Sequence, residues 1–552
     1  MTGSARSSFQ FTAPMMVAVG CVLALAAWSL PVNLKSISPA LLREAGLGTP
    51  SVAQFGLQLV ESEKIGPAAL ALDAAKAVQD PAAPALEKGL GALSAHTPEM
   101  VAWGGWDPFL DPLFKLRENR GRSASTPVLT FFITENARQT LRSYLSQSRS
   151  LGVQSLLRLR ELSNTGRFVP AHDPGGQPLE AVILLTALLY QGEHLAPPLQ
   201  RELRLRAETA LAQKDLGELE PCFIDLLSLG KRLDWAQLGE LLRRTESPKT
   251  VGEFAHLARV APDELPLIYT AALYAGSADR VASYLITYGK TGLGDLRLAL
   301  AHGQGAVNQL LLWQVPVNHG AGSNLGAAAA LVILHPRVMI VLKYLGYLLA
   351  AFLLFRGLDR WIVAPCATAT LGVPRMKSGV LALLLATVFV IVTEPFLLRA
   401  APLSEYRFRL VLPALVATSQ PPAPTPSTTT PTMDASTLIS IGVFAALQVA
   451  MYFTCLLKIR EVARSDVAPL VKLRLMENEE NLFDGGLYVG IAGTASALVL
   501  QVLGIIEPNL LAAYSSNLFG ITCVALVKIR HVRPFKRQLI LEGQAAIARP
   551  AS

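Results

Sequence analysis

Six stretches of mostly apolar residues constrain this chain more than anything else in it: 13–30, 338–355, 378–398, 435–457, 485–506 and 508–527. A helix rising about 1.5 Å per residue needs roughly 20 such residues to cross the apolar core of a bilayer. Within that layer a backbone satisfies its own polar groups only as a helix or a closed barrel, and unbroken apolar runs suit the helix. Glu507 alone separates the last two stretches, so they should form a tight helical hairpin. Composition agrees: 51% of the 552 residues are hydrophobic, 16% are charged, and the mean hydropathy is +0.39. A chain this long also exceeds a single compact core.

Lys and Arg in the short loops set the orientation. Arg356, Arg360, Arg375 and Lys377 fall between the second and third stretches, and Lys458, Arg460, Arg464, Lys472 and Arg474 between the fourth and fifth. Lys528, Arg530, Arg533, Lys536 and Arg537 follow the sixth. The Glu507 turn has no basic residue, and the third-to-fourth segment has only Arg399, Arg407 and Arg409, spread along a long loop. Both termini are therefore expected in the cytoplasm, with Arg6 in agreement, and residues 31–335 outside it. Cleavage of the first stretch at Ala24-Leu25-Ala26, as in a signal peptide, is the rival reading and leaves that domain on the same side. The net charge of +8 resides mostly in these basic runs, which argues for topology and against nucleic acid as a partner.

Between about Ser38 and Val317 apolar residues recur at helical spacing. Breakers divide the later part into short helices: Gly230, Asp234 as a cap, Ser247-Pro248, Asp263, Gly276-Ser277 and the Gly289 to Gly294 run. Short helices of this kind bury their apolar faces by stacking, so a helical-repeat-like, solenoid-like array is expected, without the fixed period of a named repeat. Pro127 to Ile133 reads either as a short strand or as the opening of a buried helix. Trp103, Trp106, Pro108 and Phe109 form an aromatic loop suited to plugging a helix end. Residues 420–432, rich in Pro and Thr, read as an extended tether. The alternation from Tyr406 to Leu412 before it fits a half-buried strand that docks on the exported domain or lies on the lipid surface.

Catalytic chemistry finds little support. Gly289-Lys290-Thr291 resembles the end of a P-loop, but Tyr284 stands where the first glycine belongs. His172 and Asp173 precede an ordinary Pro-Gly-Gly turn with no serine elbow or metalloprotease motif. Cys21, Cys222, Cys366, Cys455 and Cys523 form no CxxC pair, so neither a disulfide framework nor a zinc site is indicated, and Cys21 lies too far inside its apolar run for a lipoprotein site. No catalytic residue, cofactor or metal is assigned, and a non-enzymatic role is expected.

Two groups of polar residues inside the apolar stretches are the candidate sites. Lys343 and Glu394 lie near the outer ends of the second and third stretches at similar depth, which makes them a candidate intramembrane ion pair, with snorkelling to the interface as the alternative. In the fifth stretch Gly490, Gly493 and Thr494, and in the sixth Ser515, Ser516, Asn517 and Gly520, supply the small and hydroxyl-bearing positions through which membrane helices pack or line a pore. Residues 435–541 resemble the MotA/TolQ/ExbB proton-channel family: GIAGT faces a run of small and polar residues on the next helix, in the same order of crossings. The resemblance implies a homo-oligomeric ring around a small single-span partner. Asn517 stands where the family carries threonine, Ala512 where many members are ionisable, and the 458–484 segment is short.

The expected organisation is all-α: a cytoplasmic tail (1–12), an anchor helix (13–30), an extracytoplasmic helical domain (31–335) that binds another protein, two membrane helices (336–398), an outer loop (399–434), a three-helix membrane unit (435–541) and a cytoplasmic tail (542–552). A multi-pass protein of a bacterial inner membrane, in contact with membrane lipid, is the expected setting. A scaffold without ion conduction is the main alternative, and a transporter, which would show internal symmetry among its spans, ranks below both.

Overall fold

The computed structural model describes residues 4–110, 113, 124–319, 326–358, 373–394, 406, 435–502 and 510–547. Among these residues the regular structure is helical, with isolated bridges in place of strands. The chain divides into two compact units, Met1–Ser38 with His319–Pro402 and Ala414–Ser552, and Pro39–Asn318 with Leu403–Pro413. It begins in the first unit with α1 (Ser4–Ser29).

The second unit runs through α2 (Pro39–Gly46), α3 (Val52–Glu61), α4 (Ile65–Ala77), α5 (Ala83–His96), α6 (Val128–Phe132), α7 (Glu135–Leu145), α8 (Leu151–Arg158) and α9 (Gln177–Gln191). It continues with α10 (Pro197–Gln213), α11 (Leu219–Gly230), α12 (Trp235–Leu242), α13 (Pro248–Val260), α14 (Leu265–Tyr274), α15 (Ala278–His302) and α16 (Gln304–Trp313). Side-chain caps fix four of the starts, the first being Ser51 on α3. Asp234 and Gln237 form a capping box on α12, and Ser247 and Ser277 cap α13 and α15, so these three breakers read from the sequence are true helix starts. Gly289, with φ at 58°, kinks α15. Pro127 to Ile133 contains a helix, not a strand, because Val128, Leu129 and Phe132 bury one helical face.

The stacked helices of this unit close into one body. In a solenoid each repeat touches only its neighbours, whereas here α2 packs on α15 and α16, and α4 on α12 and α14, so the unit closes on itself. The backbone N–H of Gln304 donates to the Pro50 carbonyl at 3.2 Å, and Gly305 N–H donates to Thr49 Oγ1 at 3.1 Å. Closure gives terminal apolar faces a partner that an open array would have left to water. α9 is the centre, buried along one continuous stretch from Leu179 to Leu189. Its buried Glu180 is held by Arg138 at 2.8 Å and by Arg142 and Arg160 at 3.0 Å, as a charge taken out of water requires. From the outer loop, Tyr406 belongs to this unit, is 3% exposed, and hydrogen-bonds His256 through its backbone. The remainder of the 406–412 alternation, the 420–432 tether, Cys366 and the Glu507 turn lie outside the described residues.

The first unit resumes with α17 (Gly326–Leu334), α18 (Pro336–Leu358), α19 (Val373–Thr393), α20 (Ala435–Arg464), α21 (Pro469–Asn478), α22 (Glu480–Phe483), α23 (Gly485–Val502) and α24 (Leu510–Ala525). A π-helical turn, Leu526–Val532, leads into α25 (Arg533–Ile547). α1 and α19 both pack on α18, and α23 and α24 pack on each other and on α20. Small residues bring α1 and α18 together: a Cβ added to Gly20 would lie 3.1 Å from the Ala350 carbonyl, and one on Gly357 3.1 Å from that of Ala13. Among the described residues α18 is the helix long and apolar enough to cross a membrane, while Ala13–Ser29 and Leu381–Val390 are shorter apolar helices. The other expected spans are helical in their described parts.

Candidate functional site

Lys343 and Glu394 are both buried, 3% and 1% exposed, but they do not pair directly. Between them lies the turn that follows α1. Val32 and Ile37 form an antiparallel bridge, and Asn33 Nδ2 donates to Ser36 Oγ at 3.1 Å, which folds residues 32–37 into a compact knot. Lys343 Nζ donates to the Val32 carbonyl at 2.6 Å, to Asn33 Oδ1 at 2.7 Å and to the Leu30 carbonyl at 3.4 Å. Glu394 accepts the Leu34 N–H at 2.9 and 3.1 Å and the Tyr344 hydroxyl. The cation thus satisfies carbonyls left open at the end of α1, and the carboxylate satisfies an N–H of the same turn. Together they clamp the exit of α1 to α18 and α19. Sequence reasoning located both charges; the missing partner was a backbone turn, which no side-chain pattern announces.

The second site lies where α23 and α24 cross. A Cβ on Gly490 would be 3.0 Å from the Ser516 carbonyl, and one on Gly520 would be 2.6 Å from the Gly486 carbonyl. A Cβ on Gly493 would collide with Ser516 Oγ. Ser516 is fully buried and donates to the Gly490 carbonyl at 3.2 Å, and Thr494, on the next turn of α23, donates to the same oxygen at 3.0 Å. Ser515 and Asn517 are half-buried on α24, and the buried Asn517 Oδ1 finds no donor among the described residues. Gln448 of α20, absent from the sequence-based candidates, completes the crossing. It is 5% exposed and donates to the Gly486 carbonyl at 3.0 Å, while its Oε1 has no donor among the described residues. An amide in the middle of an otherwise apolar stretch was the available signal. Replacing Gly520 with valine should push these helices apart and cost about 2 kcal/mol, read as a lower unfolding temperature in detergent, as overpacking does.

The second unit carries a further polar network around His194. Asp107 Oδ2 accepts Trp235 Nε1–H at 2.7 Å and lies 2.9 Å from His194 Nε2, while His194 Nδ1 meets Arg243 at 2.8 Å. Burial pushes the Asp107 carboxyl up, but His194 and Trp235 outweigh it and hold the group below its usual range. With both ring nitrogens engaged by charged groups, His194 is placed as a structural bridge. Deep burial raises Asp234 to about 7 against its bonds from Gln237 and Ser125, and raises the Cys222 thiol to about 12, which keeps it protonated. His172 and Asp173 are surface residues. Among the described residues no group of three or more His, Cys, Asp or Glu side chains is arranged to hold a metal.

No known protein family, no curated protein and no solved structure matches the chain.

Proposed function

We propose that the chain is a non-enzymatic, multi-pass membrane protein of about six spans, whose last three helices form an assembly core and whose 31–335 domain, outside the cytoplasm, binds another protein. The observation that carries the membrane reading is the outer surface of the first unit. Val341 and Leu345 of α18, Val388 of α19, Phe453 of α20, Ile491 of α23 and Leu518 of α24 are all exposed. A unit that lived in water would not bare large apolar side chains on every helix. The basic loops support a topology with both termini in the cytoplasm, and a bacterial inner membrane is the setting we propose.

Within that reading, the close glycine-mediated crossing of α23 and α24 favours assembly over a loose lipid-facing hairpin. It is the feature expected of a MotA/TolQ/ExbB-like subunit, which would form a homo-oligomer around a small single-span partner. One detail favours the alternative of a scaffold without ion conduction: Thr494 and Ser516 both spend a donor on the Gly490 carbonyl. Native mass spectrometry of the protein in mild detergent separates these outcomes. A ring with a single-span partner supports the energy-transducing subunit, a protein partner retained after Thr494→Ala and Asn517→Ala supports the scaffold, and a stable monomer with no partner counts against both.

The clamp carries a prediction about processing. Because Lys343 and Glu394 grip the turn after α1, and α1 is seated along α18, the first helix is kept as an anchor. The intact mass of the purified protein should include residues 1–30; a mass lacking residues 1–26 would show cleavage at Ala24-Leu25-Ala26.

A further inference from the structure

A shallow, open depression of about 440 Å³ lies along one face of the helical segment that follows α24, lined by Ile529, Arg533, Pro534, Arg537, Gln538 and Leu541. Residues 529, 533, 537 and 541 recur at four-residue intervals, so two arginines stand one turn apart between two aliphatic side chains. Ile529 is 63% exposed and Leu541 58%. The opposite side of this segment is occupied: Val532 and Leu539 are buried, and a Cβ on Gly543 would touch Leu470 at 3.3 Å. Charge is unbalanced in the same way. Lys528 is paired with Asp484 at 2.7 Å, and Glu542 is taken by Gln538 at 2.8 Å, whereas Arg530, Arg533, Lys536 and Arg537 meet no acid among the described residues.

From this placement we infer that the depression is a binding site for an anionic phospholipid. Guanidinium forks match a phosphate in two-point contact. Ile529, at the membrane end of this face, suits the start of an acyl chain, which a free phosphate would leave uncovered. Basic side chains just cytoplasmic of a membrane helix draw anionic lipid at about 1 kcal/mol each. The inference rests on the membrane reading above and adds a specific lipid to it.

The test is native mass spectrometry of the full-length protein in detergent, with phosphatidylglycerol or phosphatidylcholine added. Phosphatidylglycerol should stay bound to the wild type, and R533Q/R537Q should bind it roughly 10- to 30-fold more weakly. R474Q, which removes an exposed cytoplasmic cation from another helix, should bind like the wild type. Equal retention of the two lipids, equal loss in R474Q, or displacement of phosphatidylglycerol by excess inorganic phosphate would overturn the site. Carbonate-resistant pelleting with membranes reads the underlying assignment separately: a protein that pellets but shows no lipid preference loses the site alone, and one that does not pellet loses both. Both arginines are exposed, so an unchanged melting temperature of the double variant confirms that the fold survives.

Discussion

Replacing Lys343 with methionine lowers the stability of the purified protein by about 3–5 kcal/mol, and replacing Glu394 with glutamine does nearly the same. The first change leaves the Leu30 and Val32 carbonyls and Asn33 Oδ1 without their donor. The second weakens the acceptor of the Leu34 N–H and the Tyr344 hydroxyl. Either one also removes one of the two opposite charges buried on either side of that turn. Thermal unfolding in detergent measures the effect. Since both residues hold one turn, K343M/E394Q should be little worse than either single variant; additive losses would mean that the two act on separate parts of the structure.

A comparable effect is expected in the second unit, where it appears as pH dependence. Asp234 is fully buried and stays protonated in the folded unit up to about pH 7, whereas in the unfolded chain it ionises near 3.8. As the pH rises between those values only the unfolded chain gains the charge, so the stability this acid contributes is complete below about 3.8 and is lost as the pH passes about 7. Asparagine caps a helix as well as aspartate and does not ionise. The D234N variant should match the wild type near pH 4 and exceed it near pH 8, by an upper bound of about 4 kcal/mol. Asp107 and Glu240, both held below their usual range, pull the overall profile the other way, as they lose stability on acidification. Denaturation curves of the two proteins across pH isolate Asp234, because the other groups are common to both. A difference that stays flat with pH would show that Asp234 is charged in the fold.

What was legible in the sequence was local. Ser247 and Ser277 cap helices through bonds to residues three positions on, and Gly289 breaks a helix through its own dihedral angle, so a short window of sequence holds the cause. The closure of the second unit was not legible, since Gly305 approaches Ala45 and Gly66 approaches Asp234 across most of the domain. Nothing in the period of either helix encodes that meeting. The residues of the two candidate sites in the first unit fall between these cases. Gly490, Ser516 and Gly520 were readable as a small-residue seam and do meet at one crossing. Gln448 was missed because a single amide within an apolar stretch has no periodicity to mark it. Lys343 and Glu394 were read as neighbours and do grip one turn, but the folded turn between them is visible only once the chain is built.

The most direct test of the account is the side of the membrane on which each part lies. Leu205 is exposed on α10 and Arg537 on α25, so single cysteines at these positions can be labelled in spheroplasts with a membrane-impermeant maleimide. L205C should be labelled in intact spheroplasts, and R537C only after the membrane is opened. Labelling of both positions in intact spheroplasts, or of neither, would contradict this topology.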